Sequence, residues 1–308
     1  MSKKVNFPWH AQVSDYSNDG FHINPSSGYI LLLAALRISP SYELARKVRA
    51  GEVKLSEIKN LPKDFDQVLA TYDLIGDVNK IVFRYWWLQR GIKIFGIPNT
   101  KPDLKVIDKF EYGEEFDGEY LNKNLVTYFE HERRNEGFPP ALLLSIPLTL
   151  KRSEILKKIN NLLDANKVHL DEPKKKPLMK LMNKRLNRRA MNRGFNLLWA
   201  KSIFLNKELW RLGVKARISE TYSSVLNYNA PRKPKDAIEM NDRMILTKIT
   251  YRTLKRYELI VENAARGKFP CDDPVESAEF DYPAIGKREK IYRKWRKENL
   301  HDPQRLKY

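Results

Sequence analysis

The chain has 308 residues, of which 42% are hydrophobic, and a formal net charge of +19. This apolar content excludes a disordered chain, and the length predicts about two domains. A single cysteine, Cys271, excludes an intramolecular disulfide and a zinc site built mainly of cysteines, so a reducing cytoplasm is the expected setting. No apolar stretch approaches the ~20 residues that span a bilayer, and we expect a soluble protein without membrane contact.

The basic excess is confined to one half of the sequence. Residues 1–172 hold 24 Lys and Arg against 23 Asp and Glu, whereas residues 173–308 hold 33 against 15, so the net charges are +1 and +18. Such asymmetry indicates a polyanion-binding region joined to a neutral region. The segment Asp171–Pro177, with two prolines and a charge run, is the expected domain boundary. The alternative is charge that serves solubility alone.

The neutral half, residues 1–172, is predicted to be an α+β domain that contacts a protein partner. Its predicted helices are Tyr29–Ile38, Tyr42–Ala50, Asp64–Leu74, Val78–Arg90 and Ser153–Leu163. Its predicted strands are Leu104–Phe110, Leu125–Phe129 and Ala141–Pro147. Trp86 and Trp87 belong to an aromatic cluster that we expect in the core, because it lies in the neutral half.

The basic half, residues 173–308, is predicted to be a helical nucleic-acid-binding domain. Its predicted helices are Leu178–Leu212 (one or two pieces), Ile218–Leu226, Asp236–Lys248, Thr250–Gly267 and Lys287–Lys297. The fold class that follows for the whole chain is mainly α with a minor β component.

The segment Met240–Leu259 fits the apolar spacing of a helix-turn-helix. Met244, Ile249, Leu254 and Tyr257 occupy the positions that seat the second helix on the first, although Lys248 stands where glycine is usual. The residues expected to face outward, towards phosphates and base edges, are Thr250, Tyr251, Arg252, Thr253, Lys255 and Arg256. The alternative is an ordinary amphipathic helix with a basic solvent face.

Three further segments complete the candidate nucleic-acid-binding set. The segment Glu208–Leu226 predicts a helix that ends at Gly213, a basic turn, and a new helix capped by Ser219. Two others, Lys184–Arg193 and Lys287–Lys297, predict basic helices that contact phosphates or are merely solvated. The candidate residues in these segments are Lys184, Arg185, Arg188, Arg189, Arg193, Lys215, Arg217, Arg293, Lys294 and Arg296.

No catalytic, metal or cofactor site is predicted. Asp64, Asp66, Asp73 and Asp77 have spacings that could bring carboxylates together, as a magnesium-dependent nuclease needs, but the surrounding pattern of such an enzyme is missing. His131 is one of five scattered histidines that form no ligand pair. The sequence contains no P-loop, dinucleotide fingerprint or nucleophile elbow.

Five segments of the chain, in both halves, carry a resemblance to known proteins. They are Ser39–Arg46, Leu61–Asp66, Trp86–Gly91, Thr253–Tyr257 and Asn263–Pro270. They resemble a loose group of bacterial proteins without an assigned function, often encoded on mobile elements and genomic islands. The resemblance implies a bacterial cytoplasmic protein with a DNA-linked role, and it carries no catalytic residues.

The resulting prediction is a non-enzymatic DNA-binding protein of a bacterial mobile element or defence system. It would act as a regulator or as a subunit of a larger nucleoprotein complex. One alternative is a metal-dependent nuclease that uses acidic residues of the N-terminal half. The other is an RNA-binding subunit of a ribonucleoprotein, because a basic helical surface binds phosphate on either polymer.

Overall fold

The structure is a computed structural model that describes residues 21–23, 26–58, 60–166, 176–182 and 186–299. Helices account for 59% and strands for 2% of it, which confirms the predicted fold class, mainly α with a minor β component. The first helices are α1 (Gly28–Ile38), α2 (Pro40–Arg49), α3 (Phe65–Ile75), α4 (Phe83–Trp86), α5 (Ile92–Phe95), α6 (Gly118–Thr127), α7 (Arg133–Asn135) and α8 (Arg152–Ala165). They are followed by α9 (Arg188–Ile203), α10 (Leu209–Ala216), α11 (Glu220–Val225), α12 (Ala237–Ala265) and α13 (Tyr282–Asn299).

The described residues divide into two compact units. Unit 1 comprises residues 26–94 and 179–299, and unit 2 comprises residues 21–23 and 95–178, each with the gaps given above. This division differs from the expected boundary at residue 172. The physical reason is that α1 and α2 pack on α12, and α1 also packs on α9, so helices from both halves of the sequence share one core.

Unit 2 contains a sheet of two short strands. Strand β1 (Phe21–His22) pairs antiparallel with β2 (Ile97–Pro98). The strands predicted at 104–110 and 141–147 are wrong, because these residues have no regular structure. A strand needs a neighbour for its N–H and C=O groups, and among the described residues of these two segments none is paired in a ladder.

The third predicted strand, Leu125–Phe129, is also wrong, because its residues belong to a helix. Asp117 caps α6 by accepting hydrogen bonds from the N–H groups of Glu119 and Tyr120, both at 3.0 Å. Helix α6 runs through Thr127, and a π-helical turn, Tyr128–Glu132, continues it. The cap begins the helix eight residues before the apolar run that suggested a strand.

The core of unit 1 is built around α1. Every residue of Gly28–Ile38 is buried, and all but Arg37 are uncharged, as expected of a core helix. Trp86 and Trp87 are also buried, which confirms the prediction that they are core. The indole N–H of Trp86 donates to the carbonyl of Ile75 at 2.9 Å, so its polar atom is satisfied inside the core.

Helix α12 crosses the centre of unit 1 and packs on α1, α2, α3, α9, α10 and α11. Two glycines allow neighbouring helices to approach it closely. A Cβ at Gly213 of α10 would overlap the Thr250 hydroxyl, and a Cβ at Gly194 of α9 would overlap the Tyr257 ring. The middle of α12 is therefore fixed on one side by α9 and α10.

The C-terminal end of α12 is held by a buried polar network. The Glu262 carboxylate accepts hydrogen bonds from Ser39 Oγ at 2.6 Å and from Ser41 Oγ at 2.5 Å. Arg266 donates to Glu262 Oε2 at 3.1 Å and forms a bidentate pair with Asp64 at 2.6 and 2.8 Å. Hydrogen bonds from Arg266 lower the pKa of Asp64. The network joins α12 to the starts of α2 and α3, over 200 positions away.

Candidate nucleic-acid interface

Helix α12 is continuous through the position of the predicted turn, so the helix-turn-helix at Met240–Leu259 is wrong. The hydroxyls of Thr247 and Thr253 donate to the carbonyls of Arg243 and Ile249 within the helix, both at 2.8 Å. The segment has no glycine or proline to interrupt these bonds. The alternative, one amphipathic helix with a basic solvent face, describes what the structure shows.

The residues of the predicted recognition helix fall on two sides of α12. Thr250 and Leu254 are buried, so the prediction that Thr250 faces outward is wrong. Thr253 is half-buried. Met244, which was expected to seat the second helix, is 51% exposed. The exposed members are Tyr251, Arg252, Lys255 and Arg256, and Lys248, which was not among the candidates, lies on the same side.

A helix pair with a short turn does exist in α10 and α11. Helix α10 continues past Gly213 to Ala216, and Arg217 then adopts the left-handed conformation at φ 53°. The Ser219 hydroxyl accepts from the N–H of Tyr222, which confirms the predicted cap of α11. Helix α11 has only six residues, and its first residue is the acidic Glu220. This pair supports α12 rather than presenting a long basic helix.

Several candidate cations are bound to carboxylates. Arg189 and Arg193 of α9 share Glu220 of α11, each at 2.7 Å. The hydrogen bond from Arg193 is the main reason why the pKa of Glu220 is lowered. The other ion pairs in the set are Lys255–Glu258 at 2.8 Å, Arg256–Asp272 at 2.6 Å and Arg293–Glu289 at 2.6 Å. The pairs of Arg189 and Arg256 are exposed on both sides, so they hold their cations weakly. The carboxylates that bind Lys255 and Arg293 are buried.

Five of the remaining candidates form no ion pair with any described residue. They are Arg188, Lys215, Arg217, Arg252 and Lys294, all exposed, and Lys248 shares this property. The ammonium of Lys215 lies 5.8 Å from the Phe204 ring and 5.4 Å from the Tyr228 ring. Arg296 is half-buried on α13. Lys184 and Arg185 lie outside the described residues.

The first turn of α9, which carries two of the candidate cations, packs against α12. The Tyr257 hydroxyl of α12 donates to the Ala190 carbonyl at 2.7 Å, so the first turn of α9 lies beside the middle of α12. That turn contains Arg188 and Arg189, and Glu220 ties it to α11. We call the exposed cations Lys248, Arg252, Lys255 and Arg256 of α12 the basic face. Arg188 and Arg189 lie on α9, which contacts Tyr257 on the buried side of α12. Arg293, Lys294 and Arg296 lie apart on α13, which packs on α9.

The four acidic residues considered for a nuclease do not form a common site. Asp64 is bound by Arg266, and Asp73 is bound by Arg49 at 2.5 Å. Asp77 accepts from the N–H of Asn79 at 2.8 Å, and Asp66 is exposed. Within the described ranges, no group of three or more His, Cys, Asp or Glu side chains is placed to hold a metal ion.

Sequence reasoning missed one basic segment, the loop of residues 227–235 between α11 and α12. Its exposed cations are Arg232, Lys233 and Lys235. Arg211 and Arg243 are buried beneath it, with their guanidinium carbons 4.3 and 4.4 Å from the centre of the Trp210 ring. The run Pro-Arg-Lys-Pro-Lys from position 231 was the available signal.

Comparisons of the sequence with family models and characterised proteins, and of the fold with solved structures, find no match. In the part of the chain that the structure describes, no helix combines the length and apolar content needed to cross a bilayer.

Proposed function

We propose that this protein binds duplex DNA through the basic face and has no catalytic role. The observation that carries the proposal is the placement of Lys248 and Arg252, which are exposed and form no ion pair with the described residues. The opposite side of α12 is fixed by buried Leu246, Thr250 and Leu254. Cations on a rigid helix bind phosphates with less loss of conformational freedom than cations on a mobile segment.

The spacing along α12 suits a row of phosphates. Lys248, Arg252 and Arg256 follow one another at intervals of four residues, and each interval rises about 6 Å along a helix. The three cations therefore span about 12 Å, the length of three to four nucleotides at about 3.4 Å each. Because α12 has no turn before these residues, we propose contacts to the sugar-phosphate backbone rather than to base edges.

Carboxylates already occupy part of the basic face, and this is compatible with binding. Arg256 is paired with Asp272, and both side chains are exposed. Exposed ion pairs contribute little to stability, so a phosphate can replace the carboxylate at small cost.

The wider role that we propose is a regulator, or a subunit of a nucleoprotein complex, of a bacterial mobile element or defence system. The resemblance described above supports this role and favours DNA over RNA. The protein partner expected for the N-terminal half remains a prediction, as does the cytoplasmic location.

The test uses the full-length protein with fluorescent duplex DNA, duplex RNA and single-stranded RNA, each titrated at several salt concentrations. Wild type should bind duplex DNA, with log Kd rising linearly with log salt by about 0.9 per phosphate contacted. The variant Lys248→Ala/Arg252→Ala should lower this slope by about two. Lys80→Ala/Arg84→Ala removes the same charges from exposed positions outside the basic face and is the matched control.

Each other outcome has a definite meaning. Equal binding by the two variants would overturn the role of the basic face. Tighter binding to RNA than to DNA would identify RNA as the ligand. Cleavage of either polymer with Mg²⁺ would overturn the non-enzymatic assignment.

A further inference from the structure

The loop between α11 and α12, residues 227–235, is fixed from beneath by two buried arginines. Arg211 donates to the carbonyls of Tyr228 and Ala230, the latter at 2.7 Å. Arg243 donates to the carbonyls of Pro231 and Arg232 at 2.9 and 2.8 Å. Four carbonyls within five consecutive residues are therefore bound by side chains of the core. We call residues 227–235 the clamped loop.

Each of the two arginines is held in place by a tryptophan ring and a carboxylate. Both guanidinium groups lie against the Trp210 ring, and both are buried. Glu208 accepts from Arg211 at 2.8 Å, and Glu239 accepts from Arg243 at 2.7 Å. Buried arginines are costly unless paired and hydrogen-bonded, so this arrangement is a strong constraint on the loop backbone. A connection that only joined two helices would not require it.

The outer surface of the clamped loop carries three cations. Arg232, Lys233 and Lys235 are exposed, and the side chain of Arg232 is 95% exposed. Its nearest carboxylate is Glu208, at 4.0 Å, which is already bound by Arg211. Pro231 and Pro234 restrict the unfolded chain and so reduce the entropy lost on ordering this segment.

The chemistry of this surface fits phosphate. From Pro231 to Lys235 the segment has no aromatic side chain to stack on a base and no aliphatic side chain to enter a bilayer. The clamped loop leads directly into α12, whose exposed cations Lys248 and Arg252 belong to the basic face. Nucleic-acid backbone is therefore favoured over a lipid surface.

We propose that the clamped loop is a preformed second contact for the sugar-phosphate backbone of the nucleic acid bound by the basic face. Arg211, Trp210 and Arg243 are its positioning residues. This inference rests on the proposed function and extends it to a surface outside the basic face. Because the contact is to backbone phosphates, it strengthens binding to all duplex sequences alike.

The first experiment measures duplex DNA binding against salt for the full-length variant Arg232→Ala/Lys233→Ala/Lys235→Ala. The matched control is Lys54→Ala/Lys80→Ala/Arg84→Ala, which removes one arginine and two lysines from exposed positions elsewhere in unit 1. The loop variant should lower the salt slope by about two to three and weaken binding about tenfold or more at 0.1 M salt, on preferred and random sequences equally. The control should change the slope by less than about one.

Equal behaviour of the two triple variants would overturn the clamped loop as a contact. Binding of wild type to phosphatidylserine vesicles but to no nucleic acid would overturn both this inference and the proposed function. If wild type binds DNA, Lys248→Ala/Arg252→Ala weakens binding and the loop variant matches its control, only this inference fails.

The second experiment separates positioning from general stability. Arg243→Lys keeps the charge but replaces the two nitrogens that bind two carbonyls and Glu239 by a single, shorter-reaching ammonium. It should weaken DNA binding several-fold in wild type and should have no further effect once the three loop cations are alanine. An equal loss in both backgrounds would overturn the positioning role. If thermal unfolding shows that Arg243→Lys does not fold, Arg211→Lys tests the same prediction from the other side of the loop.

Discussion

Charged side chains occupy two regions of α12 with opposite surroundings. Towards its C-terminus, Glu262 and Arg266 are buried and bound by groups from α2 and from the start of α3. In the middle, Lys248 and Arg252 are exposed and form no ion pair with the described residues. Removing a group from the first region leaves buried hydrogen-bonding groups without a partner, whereas removing a cation from the second region leaves only solvent-exposed surface.

Whether a charged side chain of α12 contributes to stability or is available for binding therefore depends on its surroundings rather than on the number of charges on the helix. Substitutions in the buried region should change the free energy of unfolding. Substitutions on the basic face should change nucleic-acid affinity and leave stability alone.

Glu262→Ala is expected to have the largest effect, a loss of about 3–5 kcal/mol in the free energy of unfolding. It leaves the hydroxyls of Ser39 and Ser41 without their buried acceptor and removes one of the two carboxylates that bind Arg266. Urea unfolding followed by circular dichroism measures the loss. Glu279→Ala, at an exposed position of unit 1, is the control and should stay within about 0.5 kcal/mol of wild type. A loss below about 1 kcal/mol for Glu262→Ala would contradict the account.

Asp64→Asn is expected to cost less, about 1–3 kcal/mol at neutral pH, because 33% of the Asp64 side chain is exposed. Hydrogen bonds from Arg266 lower the pKa of Asp64 from its ordinary value of 3.8. The stabilisation by the charged carboxylate is therefore complete above that value and is lost as pH falls through the lowered pKa. Unfolding measured from about pH 7 to about pH 2.5 should converge for wild type and variant. A difference that persists unchanged in acid would exclude this origin.

Glu220→Gln is expected to tighten DNA binding by about two- to fivefold at low salt, because it removes a negative charge and frees Arg189 and Arg193 to contact phosphate. The gain should shrink as salt rises. Glu57→Gln removes an exposed carboxylate outside the basic face and should leave affinity unchanged. Weaker binding by Glu220→Gln would show that the ion pairs, rather than the freed cations, are needed for binding.

The smallest effect on folding is expected for Lys248→Ala/Arg252→Ala, within about 0.5 kcal/mol of wild type in urea unfolding. Both side chains are exposed, so their removal breaks no buried contact. A loss of several kcal/mol would mean that these cations stabilise the fold, and the contrast between the two regions of α12 would not hold.

Local signals in the sequence predicted the features that depend on neighbouring residues. Ser219 was identified as the cap of α11 because a serine before a helical run satisfies a free N–H group, and the structure confirms it. Trp86 and Trp87 were identified as core because of their place in a neutral, aromatic segment. The helical class followed from apolar periodicity in the same way.

Features that depend on distant partners could not be predicted in this way. The burial of Thr250 depends on the close approach of Gly213, which periodicity does not reveal. The sequence around Glu262 and Arg266 does not show that they are buried, because their partners Ser39, Ser41 and Asp64 lie more than 200 positions earlier. The domain boundary predicted at residue 172 differs from the observed division, because the charges segregate along the sequence whereas the core contains helices from both halves.

The most direct test of the central claim maps the DNA contact on the wild-type protein. Lysines are acetylated briefly with and without saturating duplex DNA, and mass spectrometry measures the rate at each one. The account predicts that Lys248 on the basic face is acetylated several-fold more slowly with DNA, while Lys54 and Lys80, exposed elsewhere in unit 1, react at unchanged rates. An unchanged rate at Lys248, with protection at another surface, would contradict it.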